Sequence, residues 1–184
     1  FVSKLWRYLE NGTQFRGMNC IHRLSTAIEQ CIVVIGPSAG NTPSEIIVTS
    51  IDRHCVRRSL AVSNLIADGM AACVVDNRLF VTGLGSKGKE VYQFWQSEWK
   101  PCPSMLVGRR EHCAAVKNAS EFLVMGGMRA DEEMGVADNV EMYSIQYEQW
   151  TYLGKLSYNV VDATAFCYGR YLYILDDDDY VGSQ

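Results

Sequence analysis

CAAVKNASEFLVMGG (residues 113–127), followed by NVEMYSIQYEQW (139–150), is the stretch that decides the fold. Its first part holds two apolar strings of strand length, separated by a polar break and closed by a glycine pair. Its second part alternates side chains and contains the β-branched and aromatic residue types that favour strands. The stretch therefore predicts two strands joined by a tight turn, a loop, a third strand, and a fourth strand that carries Trp150.

The same pattern occurs four times along the chain. The segments that superpose without gaps are 23–36, 70–83, 113–126 and 163–176. Their last residues are 47, 43 and 50 residues apart. A second feature repeats in phase, because Tyr92 precedes Trp99 by seven residues, as Tyr143 precedes Trp150. Self-similarity at this period indicates a repeat architecture.

A four-stranded unit of this size cannot bury its sheet face alone, whereas radial stacking of such sheets buries it and leaves only short edges. The predicted fold class is therefore all-β, and the architecture is a β-propeller. Closed propellers have about 4–8 blades. The chain supplies three full units and half of a fourth, so we expect it to be a fragment of a larger ring.

The repeated units resemble Kelch repeats. The matching pieces are MGG at 125–127, VEMY at 140–143 with Trp150, and PCPSMLVGRREHCAAV at 101–116. In that family the paired glycines close the second strand, the Tyr and Trp pack between blades, and the last stretch links one blade to the next. The resemblance implies structural roles for seven residues: Gly83, Tyr92, Trp99, Gly126, Gly127, Tyr143 and Trp150.

The resemblance also predicts the domain organisation. Residues 1–19 are expected to be a linker or the tail of a preceding helical domain, because Phe1, Leu5 and Leu9 share one helical face. Residues 20–184 are expected to form a partial Kelch-type propeller of about three and a half four-stranded blades out of six. Its predicted units are 23–69, 70–111, 112–162 and 163–184.

Composition argues against several classes of function. The 184 residues include 17 Lys and Arg against 21 Asp and Glu, a net charge of −4, so no basic face for nucleic acid is expected. No apolar run reaches the length of a membrane span. The seven cysteines form no C-x-x-C pair and mostly lie in apolar strings, which favours a reducing compartment and a cytoplasmic location. Sequons at Asn11 and Asn118 weakly favour the opposite.

Two glycine motifs resemble catalytic or cofactor signatures. G-x-S-x-G at 36–40 and G-x-G-x-x-G at 83–88 would each need a helix to follow, but NTPSEIIV and EVYQFW indicate strands. Both motifs fall at the same position of the repeat, where a loop is expected. The histidines lack metal spacing, and the acidic run 176–179 is expected to be a solvated loop. The sequence thus predicts no catalytic residue, no metal and no cofactor.

Charged residues in the loops are the candidate binding site, because loops on a rigid scaffold are where binding residues tend to lie. The candidates lie between the second and third strands of two units and in the link between those units. They are Lys87, Lys89, Arg109, Arg110, Arg129, Asp131 and Glu132. An arginine there can bind a partner carboxylate through two parallel hydrogen bonds.

The resemblance implies non-catalytic protein recognition. In the Kelch-like group, BTB and BACK domains precede the propeller and recruit a cullin-RING ubiquitin ligase, while the propeller holds the substrate protein or peptide. One alternative is an actin- or cytoskeleton-binding or F-box-type Kelch protein. An alternative from another class is a propeller enzyme of the galactose-oxidase or sialidase type, but the sequence contains no convergent set of catalytic groups.

Overall fold

The computed structural model describes residues 20–25, 30–36, 45–50, 58–61, 69–96, 98–130 and 135–175. The chain divides into two compact units, Phe1–Ile66 and Ala67–Gln184. All regular elements among the described residues are β-strands, in agreement with the predicted all-β class. The helix predicted near residues 1–10 and the acidic run 176–179 lie outside the described residues. Within the described ranges, no helix is long and apolar enough to cross a membrane.

The first compact unit contains one antiparallel sheet with its strands in sequence order. These strands are β1 (Cys20–Ser25), β2 (Gln30–Gly36), β3 (Glu45–Ser50) and β4 (Arg58–Ala61). Gly36 pairs with Glu45, so the strands on either side of the first glycine motif are direct neighbours. The next described element after this motif is the strand β3, and residues 37–44 lie outside the described residues.

The second compact unit begins with another sheet of the same order. Its strands are β5 (Ala71–Val75), β6 (Arg78–Leu84), β7 (Glu90–Trp95) and β8 (Glu98–Cys102). Asp76 and Asn77 both have positive φ angles, of 50° and 56°, as a two-residue hairpin turn requires. The second glycine motif again joins two strands of one sheet, β6 and β7.

The second compact unit also contains a third four-stranded sheet and a two-stranded hairpin. The strands that follow β8 are β9 (Arg109–Arg110), β10 (Cys113–Asn118), β11 (Glu121–Met125), β12 (Met128–Arg129), β13 (Asn139–Ser144), β14 (Gln149–Lys155), β15 (Thr164–Tyr168) and β16 (Tyr171–Leu175). The third sheet has the order β10-β11-β13-β14, and the short strands β9 and β12 pair with each other. The hairpin is β15-β16.

The first strands of successive sheets are neighbours in the second unit, where β10 lies against both β5 and β15. Side chains alternate between the two faces of each sheet and form two apolar clusters. One cluster joins the second and third sheets through Phe80, Phe122 and Trp150. The other joins the third sheet to the hairpin through Met125 and Val160. The third sheet is therefore covered on both faces.

The strand register differs from the sequence alignment of the aromatic residues. Tyr143 lies directly opposite Trp150, but Phe94, not Tyr92, lies opposite Trp99. Tyr92 is paired with Pro101 instead. The reason is turn length, since two residues separate β7 from β8 and four separate β13 from β14. Equal spacing along the chain therefore does not correspond to equal positions in the two sheets.

Candidate functional site

The connection from β8 to β10 is tied by backbone hydrogen bonds to loops on both sides. Met105 N donates to Lys89 O at 3.0 Å, and Ala130 N donates to Gly108 O at 3.0 Å. Three segments thereby form one continuous region, which we call the loop surface: residues 85–89, 103–111 and 126–130. This region contains five of the seven predicted binding residues.

Arg109 is fully buried beneath the loop surface. Its guanidinium donates to the Glu141 carboxylate at 2.5 Å, to Asn139 Oδ1 at 2.9 Å and to Gly126 O at 3.0 Å. Glu141 is also fully buried, and burial lowers the pKa of Arg109 while the Glu141 carboxylate opposes that effect. Arg109 is therefore an internal ion-pair residue, which differs from the partner-binding role that the sequence suggested.

Glu141 links the third sheet to the connection that crosses above it. Its carboxylate accepts hydrogen bonds from the backbone amides of Leu106, at 2.7 Å, and Val107, at 3.1 Å. The same carboxylate binds Arg109, so one buried acid contacts both ends of the segment 106–109. A buried carboxylate with this many donors is well satisfied, and loss of one partner would leave buried polar groups uncompensated.

The other predicted binding residues occupy three kinds of position. Arg110 and Lys87 are exposed, whereas Lys89 and Arg129 are half-buried. Arg110 follows a buried arginine because successive strand residues point to opposite faces. The Lys89 ammonium donates to Leu106 O at 3.0 Å, which places its charge at the connection. Asp131 and Glu132, the remaining two predicted residues, lie outside the described part of the chain.

His112 is buried where the connection enters β10. Its Nε2 lies 2.7 Å from the Thr82 hydroxyl, which also donates to Ala71 O at 3.2 Å. Burial, together with the positive charge of Arg109, lowers the pKa of His112 to about 3. The imidazole is therefore neutral at physiological pH and serves as a hydrogen-bonding group between the second and third sheets.

The glycines that end the second strands are required by the close approach of the connections. Gly83 and Gly126 have φ angles of 86° and 66°, which L side chains rarely adopt. A Cβ on Gly83 would lie 2.6 Å from His112 Cε1, and one on Gly126 would lie 2.5 Å from Val160 O. Gly127 is similarly crowded, by Arg110 O. A side chain at any of these three positions would therefore collide with the neighbouring connection.

The aromatic anchors of the third sheet reach the preceding sheet. Trp150 Nε1 donates to Pro103 O at 2.8 Å, and its ring lies 5.0 Å from that of Tyr143. Burial raises the pKa of Tyr143 and raises that of the neighbouring Cys102 to about 11, so this thiol is protonated at neutral pH. Trp99, by contrast, is half-buried and contacts the Phe94 ring at 5.1 Å.

One structural repeat could not be found by matching residue types. Gly69, Glu111 and Asp162 each lie two residues before the first strand of a unit, and all three have positive φ angles. Glu111 N donates to Gly69 O at 2.6 Å, and Asp162 N donates to Glu111 O at 2.7 Å. Three different side chains occupy this position, so only its spacing from the strands could have indicated it.

No metal site is evident within the described ranges, since these contain no group of three His, Cys, Asp or Glu residues suited to hold an ion.

Comparison with known proteins gives structural similarity alone. No family model matches the chain, and no curated protein is significantly similar to it. The chain is similar to the solved structure of YjhT, with a TM-score of 0.59 and 11% sequence identity over 79% of this chain. It spans 55% of the length of that structure. At this identity the similarity supports the arrangement of strands and carries no information on function.

Proposed function

We propose that this chain is part of a Kelch-type β-propeller that recognises other proteins through its loop surface. One observation carries the proposal: the first strands of successive sheets, β5, β10 and β15, lie side by side. Sheets stacked through their first strands are the arrangement that radial repetition produces. The glycine pair, the buried Tyr143–Trp150 contact and the tied connection are consistent with the Kelch resemblance of the sequence.

The loop surface supports recognition because its backbone is held from below and several of its outer residues are exposed. Arg109 and Glu141 fix the connection from below, while Arg110, Leu106 and Met128 are exposed above it. Arg110 and Met128 are paired across β9 and β12, so a cation and an apolar side chain lie next to each other. Such a pair suits a protein partner, in which carboxylates and apolar side chains are both available.

The larger role follows from the resemblance. We propose that the protein is the substrate-recognition part of a cytoplasmic BTB–Kelch adaptor, with the cullin-RING ligase recruited through domains outside this chain. Its mechanism is non-catalytic, since a scaffold that holds substrate close to a ligase raises the effective concentration of the substrate there. The charged loop residues then determine which substrate is held.

Affinity capture of the full-length tagged protein from cells tests both parts of the proposal. A double variant with Arg110→Glu and Arg129→Glu should recover at least fivefold less of the partner proteins, with cullin recovery unchanged. The matched control is Arg170→Glu, which reverses an exposed charge in the β15–β16 turn. Equal partner recovery from all three proteins would refute the loop surface, and absence of cullin from the wild-type capture would refute the adaptor role.

A further inference from the structure

The five methionines that the structure describes differ sharply in exposure. Three of them are at most 4% exposed: Met70, Met105 and Met125. Met142 is half-buried, and its sulfur accepts a hydrogen bond from the Lys117 ammonium at 3.1 Å. Met128, in contrast, is 43% exposed. Of these five methionines, Met128 is therefore the most accessible to a reagent in solution.

The backbone holds Met128 at the loop surface. Its strand β12 pairs with β9 on one side, and Met128 forms a further bridge to Val136 on the other side. The next residue is held as well, since Arg129 N donates to Gly135 O at 2.8 Å. Because the strand is fixed from both sides, the Met128 side chain stays exposed.

The repeat does not require a methionine at this position. The alignment of the units places Met128 opposite Ser38 in the first unit and Gly85 in the second. Met128 belongs to neither of the two apolar clusters that the described residues form. Chemical change of its side chain would therefore alter the surface and leave the packing of the sheets intact.

Arg110 is the immediate neighbour of Met128 across the two short strands. The two residues are directly paired, and both are exposed. Side chains of directly paired residues lie on the same face, with their Cβ atoms about 4.5–5.5 Å apart. The guanidinium has five N–H donors, but a thioether sulfur accepts hydrogen bonds only weakly. An oxygen added to that sulfur would give the guanidinium a polar acceptor within reach.

From this arrangement we propose that Met128 is an oxidation site that controls the loop surface, with hydrogen peroxide as the oxidant. A lone pair of the Met128 sulfur forms a bond to one peroxide oxygen while the O–O bond breaks. The departing hydroxide takes the proton of the transferred hydroxyl group, which leaves one sulfoxide and one water. Sulfur is oxidised and peroxide is reduced, and methionine sulfoxide reductases reverse the change.

Oxidation changes both members of the exposed pair. The apolar side chain becomes polar, and its new oxygen accepts a hydrogen bond from Arg110. Binding of a partner protein should weaken, because an apolar contact is lost and the arginine is engaged within the chain. This consequence rests on the proposed function, whereas the oxidation site itself does not.

Peptide mapping by mass spectrometry tests the site. When the full chain is treated with hydrogen peroxide, Met128 should oxidise at least tenfold faster than Met70, Met105 and Met125. The same treatment in concentrated urea should bring the four rates within about twofold of one another, because burial causes the difference. Oxidation of Met128 at the rate of the buried methionines in the folded chain would overturn the proposal.

Arginine labelling tests the hydrogen bond to the sulfoxide. Phenylglyoxal should modify Arg110 at least twofold more slowly in the oxidised chain than in the reduced chain, while the exposed Arg170 should react equally in both. Peroxide treatment of the Met128→Leu variant should leave the rate at Arg110 unchanged. Equal rates at Arg110 in the oxidised and reduced wild type would overturn the pairing with the sulfoxide.

Affinity capture tests the effect on binding, with each protein compared with itself before and after peroxide. Partner recovery by the full-length wild type should fall at least threefold and return after treatment with both stereospecific types of methionine sulfoxide reductase. Met142→Leu should show the same fall, and Met128→Leu should show none. Recovery through the loop surface that peroxide does not change, or an equal fall in Met128→Leu, would overturn control by Met128 and leave the proposed function standing.

Discussion

Two connections can be compared: the polar connection, which leads from the second sheet to the third, and the apolar connection, which leads from the third sheet to the hairpin. Their backbone hydrogen bonds are alike, but their buried side chains differ. Met105 N bonds to Lys89 O in the first, and Leu156 N bonds to Asp138 O at 2.6 Å in the second. The position of buried Arg109 in the first is occupied by buried Val160 in the second. The repeat is therefore defined by backbone hydrogen bonds and backbone angles, which accommodate either a buried ion pair or an aliphatic contact.

The largest loss of stability is expected when the buried ion pair is removed from the polar connection. Arg109→Met should lower the free energy of unfolding by about 3–5 kcal/mol, because it leaves the buried Glu141 carboxylate without its cation. Urea denaturation followed by fluorescence measures the loss. Adding Glu141→Gln should restore part of it, since the amide keeps an acceptor for Leu106 N and carries no charge. A double variant less stable than Arg109→Met would contradict this account.

The next prediction concerns the close approach of the apolar connection to the third sheet. Gly126→Ala should cost about 1–3 kcal/mol more than Gly169→Ala, because the added methyl group would overlap Val160 O. Gly169 is a matched control, since its φ of 61° is similar and a Cβ added there would meet no heavy atom within 4 Å. Thermal unfolding of the two variants makes the comparison. Equal losses would show that the φ angle alone requires glycine there.

A smaller effect is a pH dependence of stability, which is expected from the polar connection and not from the apolar one. His112 has a pKa of about 3 in the folded chain against an ordinary value of 6.5, so the unfolded chain binds more protons between these values. The free energy of unfolding is therefore highest above pH 6.5. It decreases as the pH falls, and the loss is about 1.4 kcal/mol at pH 5.5. The second connection has Ala163 at this position and lacks the effect. Urea titrations at pH 7.5 and 5.5 should show a smaller difference for His112→Gln than for the wild type.

The smallest effect is expected at the neighbour of the buried arginine. Arg110→Met should change the free energy of unfolding by less than about 0.5 kcal/mol, because Arg110 is exposed. Compared with Arg109→Met in the same urea assay, it shows whether burial determines the difference between two adjacent arginines. A loss comparable to that of Arg109→Met would contradict the assignment of these two residues to opposite faces.

Much of the fold could be predicted from the sequence because strand alternation and glycine positions are local signals. The sequence indicated four-stranded units, and it predicted a loop at the second glycine motif, where the structure has a turn between β6 and β7. It aligned Tyr92 with Tyr143, whereas the sheet register aligns Phe94 with Tyr143, because turn length cannot be inferred from equal spacing.

The candidate site was less predictable, because burial depends on which segment crosses which. The sequence placed Arg109 and Arg110 together on a loop surface, and only the structure shows that one of them binds Glu141 beneath it. Glu141 itself was seen as part of a strand motif and not as a partner. Its role depends on a contact across 32 positions of the chain, which no local pattern reveals.

The unequal turns at the far end of the sheets have a practical consequence. The turn after β7 has two residues and the turn after β13 has four, yet in both sheets an aromatic residue lies opposite the tryptophan, Phe94 in one and Tyr143 in the other. That end of the third sheet therefore accommodates a change of chain length without disturbing the interior. It lies the length of β13, about 20 Å, from the loop surface. An epitope inserted after Gln146 would therefore mark the protein in cells while the loop surface stays accessible.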